Sequence, residues 1–179
     1  DLQSQREHID TATILSFSDP AGQVKRRWQI PDQGWMLSVA SPDAVTASLM
    51  SGVDFRPAPS SGFGYLLEQS RYLIFDESSV ETIGLDETEQ ITRTSNGWLG
   101  FRNRFWTAMV LPEKSLSISP VTGETVEDAR MDMAVTGQDQ GFDLKMYLGP
   151  IEPKALSDAA SELESLMYSG LWFWLRWIC

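Results

Sequence analysis

Apolar and polar residues alternate along most of this chain, which is the period-two signature of strands with one buried face. Val24, Arg26, Trp28 and Ile30 fall on one side of such a strand, with Gln23, Lys25, Arg27 and Gln29 on the other. The same pattern recurs over 13–17, 35–39, 71–75, 80–85, 98–111, 130–135 and 142–148. Turn chemistry separates these runs at Asp19 to Gly22, Pro31 to Gly34, Ser95 to Gly97, Thr122 with Gly123, and Gly137 to Asp139. Short strands at nearly regular spacing, with no helices between them, predict a mainly antiparallel β-sandwich over 11–150. The stretch 56–62, rich in Pro, Ser and Gly, predicts a loop, and the polar residues 1–10 a flexible lead-in.

At Gly149 and Pro150 the period changes to that of a helix. Leu156, Ala159, Ala160, Leu163, Leu166 and Met167 share one stripe, while Asp158, Glu162 and Glu164 point elsewhere. Pro153 suits a first turn and Ser169 with Gly170 a stop, so one helix over 153–168 is expected to lie on the sandwich. The segment 171–179 differs again, because Leu171, Trp172, Phe173, Trp174, Arg176, Trp177 and Ile178 leave it almost no polar side. As a helix of ~1.5 Å rise per residue it reaches about 13 Å, under half of a ~30 Å hydrocarbon core. That is too short to span a bilayer. Indole rings with an arginine head suit the membrane–water interface instead, where both an apolar body and a polar tip are satisfied. The competing reading packs Leu171, Trp174 and Ile178 onto the sandwich beside Leu163 and Met167. Residues 151–179 are thus expected to hold a helix and then an aromatic surface helix.

With 179 residues, 42% of them hydrophobic, the chain can bury one sizeable core. Its formal net charge of −11 argues against a nucleic-acid partner, which requires a concentrated basic patch. Lys25, Arg26 and Arg27 form the one basic run, and inside a strand they read as a solvated rim. Cys179 is the single cysteine, so no disulfide can form within the chain. The single histidine, His8, sits in the polar lead-in and reads as exposed and unemployed. Zinc-ligand spacing and a calcium-loop pattern are absent, and Gly62 and Gly64 lack the third glycine of a phosphate loop. Carboxylate pairs such as Asp86 with Glu89 read as solvation of an acidic surface rather than acid–base machinery. No catalytic, cofactor or metal residue is therefore assigned.

Three strings, in order, carry a family resemblance. Asn96, Gly97, Trp98, Leu99, Gly100 and Phe101, then Arg104 to Ala108, closed by Leu111 and Pro112, resemble a stretch of the periplasmic domain in YidC-type membrane protein insertases. Met146 to Pro150 is similar to that domain's last strand running into its Gly-Pro turn. Gly170 to Phe173, with Leu175 to Ile178, resembles the surface helix that leads into the family's second transmembrane helix. By this resemblance Gly97, Trp98, Phe105, Trp106, Pro112, Gly149 and Pro150 take structural positions of the family motif, and the tail residues Leu171 to Trp174 and Arg176 to Ile178 face the membrane. The motifs lie within 96–179. The proteobacterial form is generally longer, so the chain resembles a shortened version or a divergent paralogue.

The resemblance implies a supersandwich-like fold with one or two C-terminal helices, on the periplasmic side of a bacterial inner membrane. It implies an accessory, non-catalytic part of an insertase and chaperone for inner-membrane proteins, without a cofactor. Its partners would be the membrane surface, nascent membrane proteins and Sec translocon subunits, with no nucleic acid. The competing class is a sandwich domain that binds peptide or carbohydrate, as mutarotase-like folds do, and has no insertase role. Trp28, Trp35, Tyr65, Phe101 and Trp106 would line its groove, although alternating aromatics in strands read first as core.

Overall fold

The computed structural model describes residues 2–44, 46–51, 70–76, 79–84, 93–95, 97–103, 105–122, 129–135 and 141–168. Within these residues the alternating pattern becomes β1 (Gln3–Ile9), β2 (Ala12–Ser18), β3 (Val24–Pro31), β4 (Met36–Ser41), β5 (Thr46–Met50), β6 (Arg71–Asp76) and β7 (Ser79–Gly84). There follow β8 (Arg93–Ser95), β9 (Leu99–Arg102), β10 (Trp106–Pro112), β11 (Leu116–Thr122), β12 (Ala129–Val135) and β13 (Phe142–Pro150). One antiparallel sheet has nine strands in the order β1-β2-β3-β4-β13-β10-β9-β6-β7, and a second has four in the order β5-β12-β11-β8. The mainly β, antiparallel, sandwich-like fold expected from the sequence is the one observed.

Strand register explains the layering. Leu37, Met146, Val110, Leu99 and Ile74 form one row across five neighbouring strands of the large sheet. That face meets Leu49, Leu116, Ile118, Met131 and Met133 of the small sheet in one core. Tyr72 ties the sheets together, since its hydroxyl accepts a hydrogen bond from the Arg130 backbone N–H at 3.0 Å. On the opposite face Leu73, Met109 and Tyr147 join Phe75 and Trp98 in a second core, closed by Leu156, Leu163 and Leu166. The molecule is therefore layered as small sheet, large sheet and helical segment.

Four places depart from the sequence pattern. The lead-in 1–10, expected to be flexible, contains β1, which pairs with β2 from Gln3 to Ile9. Every residue of β1 is exposed, so backbone pairing alone holds it and no hydrophobic period betrays it. The run 98–111 divides into β9 and β10 because the Asn103 carboxamide oxygen accepts the N–H groups of Phe105 and Trp106, at 2.8 and 2.7 Å. The single helix expected over 153–168 is an α-helix, α1 (Pro153–Ala159), followed by a 3-10 helix (Ser161–Tyr168). Ala160 between them is extended. A 3-10 helix has three residues per turn, so Leu163 and Leu166 align and both reach the sheet, each fully buried. Finally, β5, β8 and β11 lie in stretches where serine, threonine and proline mask the alternation.

Among the aromatics, Trp98 and Phe101 are core, whereas Trp35 and Trp106 stand at the surface. Trp98 packs in the core beneath the helical segment, following Gly97, where a Cβ would collide with the Phe75 carbonyl oxygen. Because Trp98 is 4% exposed, Trp98→Ala should destabilise the domain by about 3 to 5 kcal/mol in urea unfolding. A loss below about 1 kcal/mol would show that the indole is not the floor of the second core.

Candidate functional site

The chain leaves the sandwich at the end of β13, and this exit is built from a few short-range contacts. Gly149 is buried against Trp35, where a Cβ would lie 2.7 Å from the indole Cγ, so only glycine lets strand and ring approach. The Tyr147 hydroxyl donates to the Pro150 carbonyl at 2.6 Å and fixes the turn. Pro153 then opens α1, where its missing N–H matters least. The Arg102 guanidinium, from the end of β9, donates through Nη1 to the Leu166 carbonyl at 2.6 Å. Arg102 is 6% exposed, and burial, with Arg71 nearby, lowers its pKa to about 10. It remains cationic at neutral pH, and a charge-assisted bond of this kind is worth ~1.5–3 kcal/mol. The last described turn is thus anchored to the sheet by three leucines and one arginine.

A cleft of about 900 Å³ opens on the other face, between the sheets where β5 diverges from β4. Trp28, Leu49, Trp106 and Leu148 line it together with Arg26. Its described lining contains no carboxylate and no imidazole, so the acid–base pair of a sugar-converting site is not among these residues. Among all described residues no group of three or more His, Cys, Asp or Glu gathers as a metal site. His8 lies on β1 with its imidazole 3.6 Å from the Asp32 carboxylate and 3.4 Å from the Thr13 hydroxyl, so it has neighbours that the sequence pattern did not reveal. Of the basic run, Lys25 is ion-paired with Asp43 and lies 3.7 Å from Asp19.

The residues carried by the family motifs fall into three settings. Trp98, Pro112 and Gly149 are buried, Gly97 and Pro150 partly so, and Phe105 and Trp106 are exposed. The tail from Leu171 to Ile178 lies outside the described residues, as does Tyr65. No helix among the described residues is long and apolar enough to cross a membrane. Arg102, Asn103 and Tyr147 were missed by sequence reasoning. An arginine closing an apolar strand, four residues after Trp98, was the available signal for the first.

Tyr147 offers a direct test of this exit. Burial, reinforced by Glu152, raises its phenol from 10.0 to about 12. A raised pKa on an acidic group means that the folded state holds the proton more tightly. Its stabilising contribution is therefore complete below pH about 10 and is lost as pH rises from 10 towards 12. Absorbance titration of phenolate should show a component near pH 12 that Tyr147→Phe removes; its persistence in the variant would contradict the assignment.

No curated protein matches the chain in sequence. The YidC periplasmic domain family does, over residues 17–178. That match extends well upstream of the motifs in 96–179 and takes in β3 to β13, α1 and the 3-10 helix. The chain accordingly belongs to the YidC periplasmic domain family and is the periplasmic domain of an inner-membrane protein of the insertase type.

Proposed function

We propose that this domain is a non-catalytic accessory of its insertase, which positions the membrane-embedded part through the helical segment 153–168 and the aromatic tail beyond it. The supporting observation is the mode of attachment. Leu156, Leu163 and Leu166 are fully buried against the large sheet, and Arg102 holds the Leu166 carbonyl. The helical segment that precedes the tail therefore has a fixed place on the sheet. In this reading Leu171, Trp172, Phe173, Trp174, Arg176, Trp177 and Ile178 lie along the membrane surface, and nascent membrane proteins and Sec subunits are the partners. A net charge of −11 is repelled by anionic lipid, so binding must come from apolar contact.

The 179-residue chain should bind vesicles of phosphatidylethanolamine and phosphatidylglycerol weakly, with a blue shift of Trp emission. A chain ending at Ser169 should lose the shift and most of the binding while keeping its melting temperature. A lower melting temperature with unchanged lipid binding would place the tail on the sandwich and overturn the reading. A second reading is favoured by the cleft, whose largely apolar lining beside β5 suits an extended peptide segment better than a sugar. An unfolded apolar peptide should then shift the Trp28 indole resonance saturably, and Met50→Glu, at the exposed lip of the cleft, should abolish the shift; no saturable shift would exclude it.

A further inference from the structure

Nine large hydrophobic side chains stand exposed among the described residues, and six of them gather at one end of the large sheet. These are Ile9, Ile30, Trp35, Phe105, Trp106 and Leu148. Register proves the common end. Ile9 pairs with Ala12 and Ala12 with Pro31, Met36 pairs with Tyr147, Pro150 with Trp106, and Thr107 with Arg102. Leu2 and Val24 lie at the opposite end, next to the pairings of Gln3 and Val24 with Ser18.

Backbone hydrogen bonds stitch the turns of this end into one rim. Asp32 N–H donates to the Thr11 carbonyl at 2.8 Å, Leu148 to Trp35 at 3.0 Å and Ile151 to Phe105 at 2.8 Å. Trp35 and Trp106 meet edge to face with centroids 5.6 Å apart, although both are more than two-fifths exposed. Phe105 projects furthest, at 59% exposure. Seven strands from β1 to β9 at ~4.8 Å spacing make the rim about 30 Å long, and it runs past the mouth of the cleft at Trp106 and Leu148. The same end holds Arg102 and the Leu166 carbonyl that it grips, so the chain departs for its tryptophan-rich tail from beside this rim.

We infer that the rim is a second membrane-contact surface, on which the sandwich itself rests against the headgroup boundary of the bilayer. This rests on the reading that the tail reaches that surface. A long row of tryptophan, phenylalanine and aliphatic side chains on a stitched edge fits a plane, and indole rings favour the interfacial layer. Asp10, Asp32 and Glu152 flank the row, so contact comes from buried ring area and not from charge. Two contacts, tail and rim, fix the tilt of the domain, which one alone cannot do.

The test is co-flotation of the full chain with vesicles of phosphatidylcholine, with and without phosphatidylglycerol. Combining Trp35→Gln, Phe105→Ser and Trp106→Gln should weaken partitioning about tenfold or more, given the area withdrawn from contact. Leu2→Ser with Val24→Ser, which removes exposed apolar groups from the opposite end, should leave it unchanged, and added phosphatidylglycerol should not strengthen it. Trp35→Phe with Trp106→Phe should retain binding yet reduce the quenching of Trp emission by brominated acyl chains, which guards against a folding artefact. Equal partitioning of the rim variant and the unaltered chain would overturn the inference and leave the tail reading intact. Loss of binding only on truncation at Ser169, or a rim variant that abolishes self-association instead of flotation, would overturn it as well.

Discussion

The central strands of the large sheet are apolar on both faces, and everything else in the domain follows from covering them. In β6 Tyr72 and Ile74 face the small sheet while Leu73 and Phe75 face the helical segment. A strand of this kind is stable only between two layers, since either face left open would expose a large apolar surface. The helical segment is consequently half of the second core and the path by which the chain leaves the sandwich at once. Strain on that route is delivered to Leu163 and Leu166, and from them to Trp98 and Phe75, before it reaches any loop.

The exit is also where polar groups are most tightly used. Tyr147, Pro150, Arg102 and Leu166 are joined by two hydrogen bonds of 2.6 Å in a mostly apolar setting. Such bonds are worth more where water is excluded, and leaving one partner unpaired there is correspondingly costly. Shape adds to this. Gly149 against Trp35 leaves no room for a side chain, so the exit tolerates little repacking.

Most strands were legible because alternation survives wherever one face is buried, as in β4, β12 and β13. Where burial is absent the pattern has nothing to report. β1 is exposed throughout, and β11 alternates leucine, isoleucine and valine with serines and a proline that resemble turn residues. The division between β9 and β10 rests on one carboxamide at Asn103, and the break at Ala160 on the wish of Leu163 and Leu166 to reach one sheet; neither is a periodic signal. The exit was half visible. Its glycine and proline stand in the motifs, but the pairing of Arg102 with a carbonyl 64 residues away is a product of topology alone. Trp35 and Trp106 read as core because hydropathy cannot tell a ring beneath a helix from one at the end of a sheet.

The exposed strand β1 bears on the company this domain keeps. It closes one edge of the nine-stranded sheet, and edges present free backbone groups to which an unfolded chain can add. Arg6 and Glu7 project from opposite sides of it, with His8 beside Asp32. Charge on each face leaves little apolar surface on which an added strand could settle, since the one large apolar side chain, Ile9, stands at the very end of β1. The sheet thus carries a guarded border, one that discourages edge-to-edge addition and leaves recognition to surfaces elsewhere.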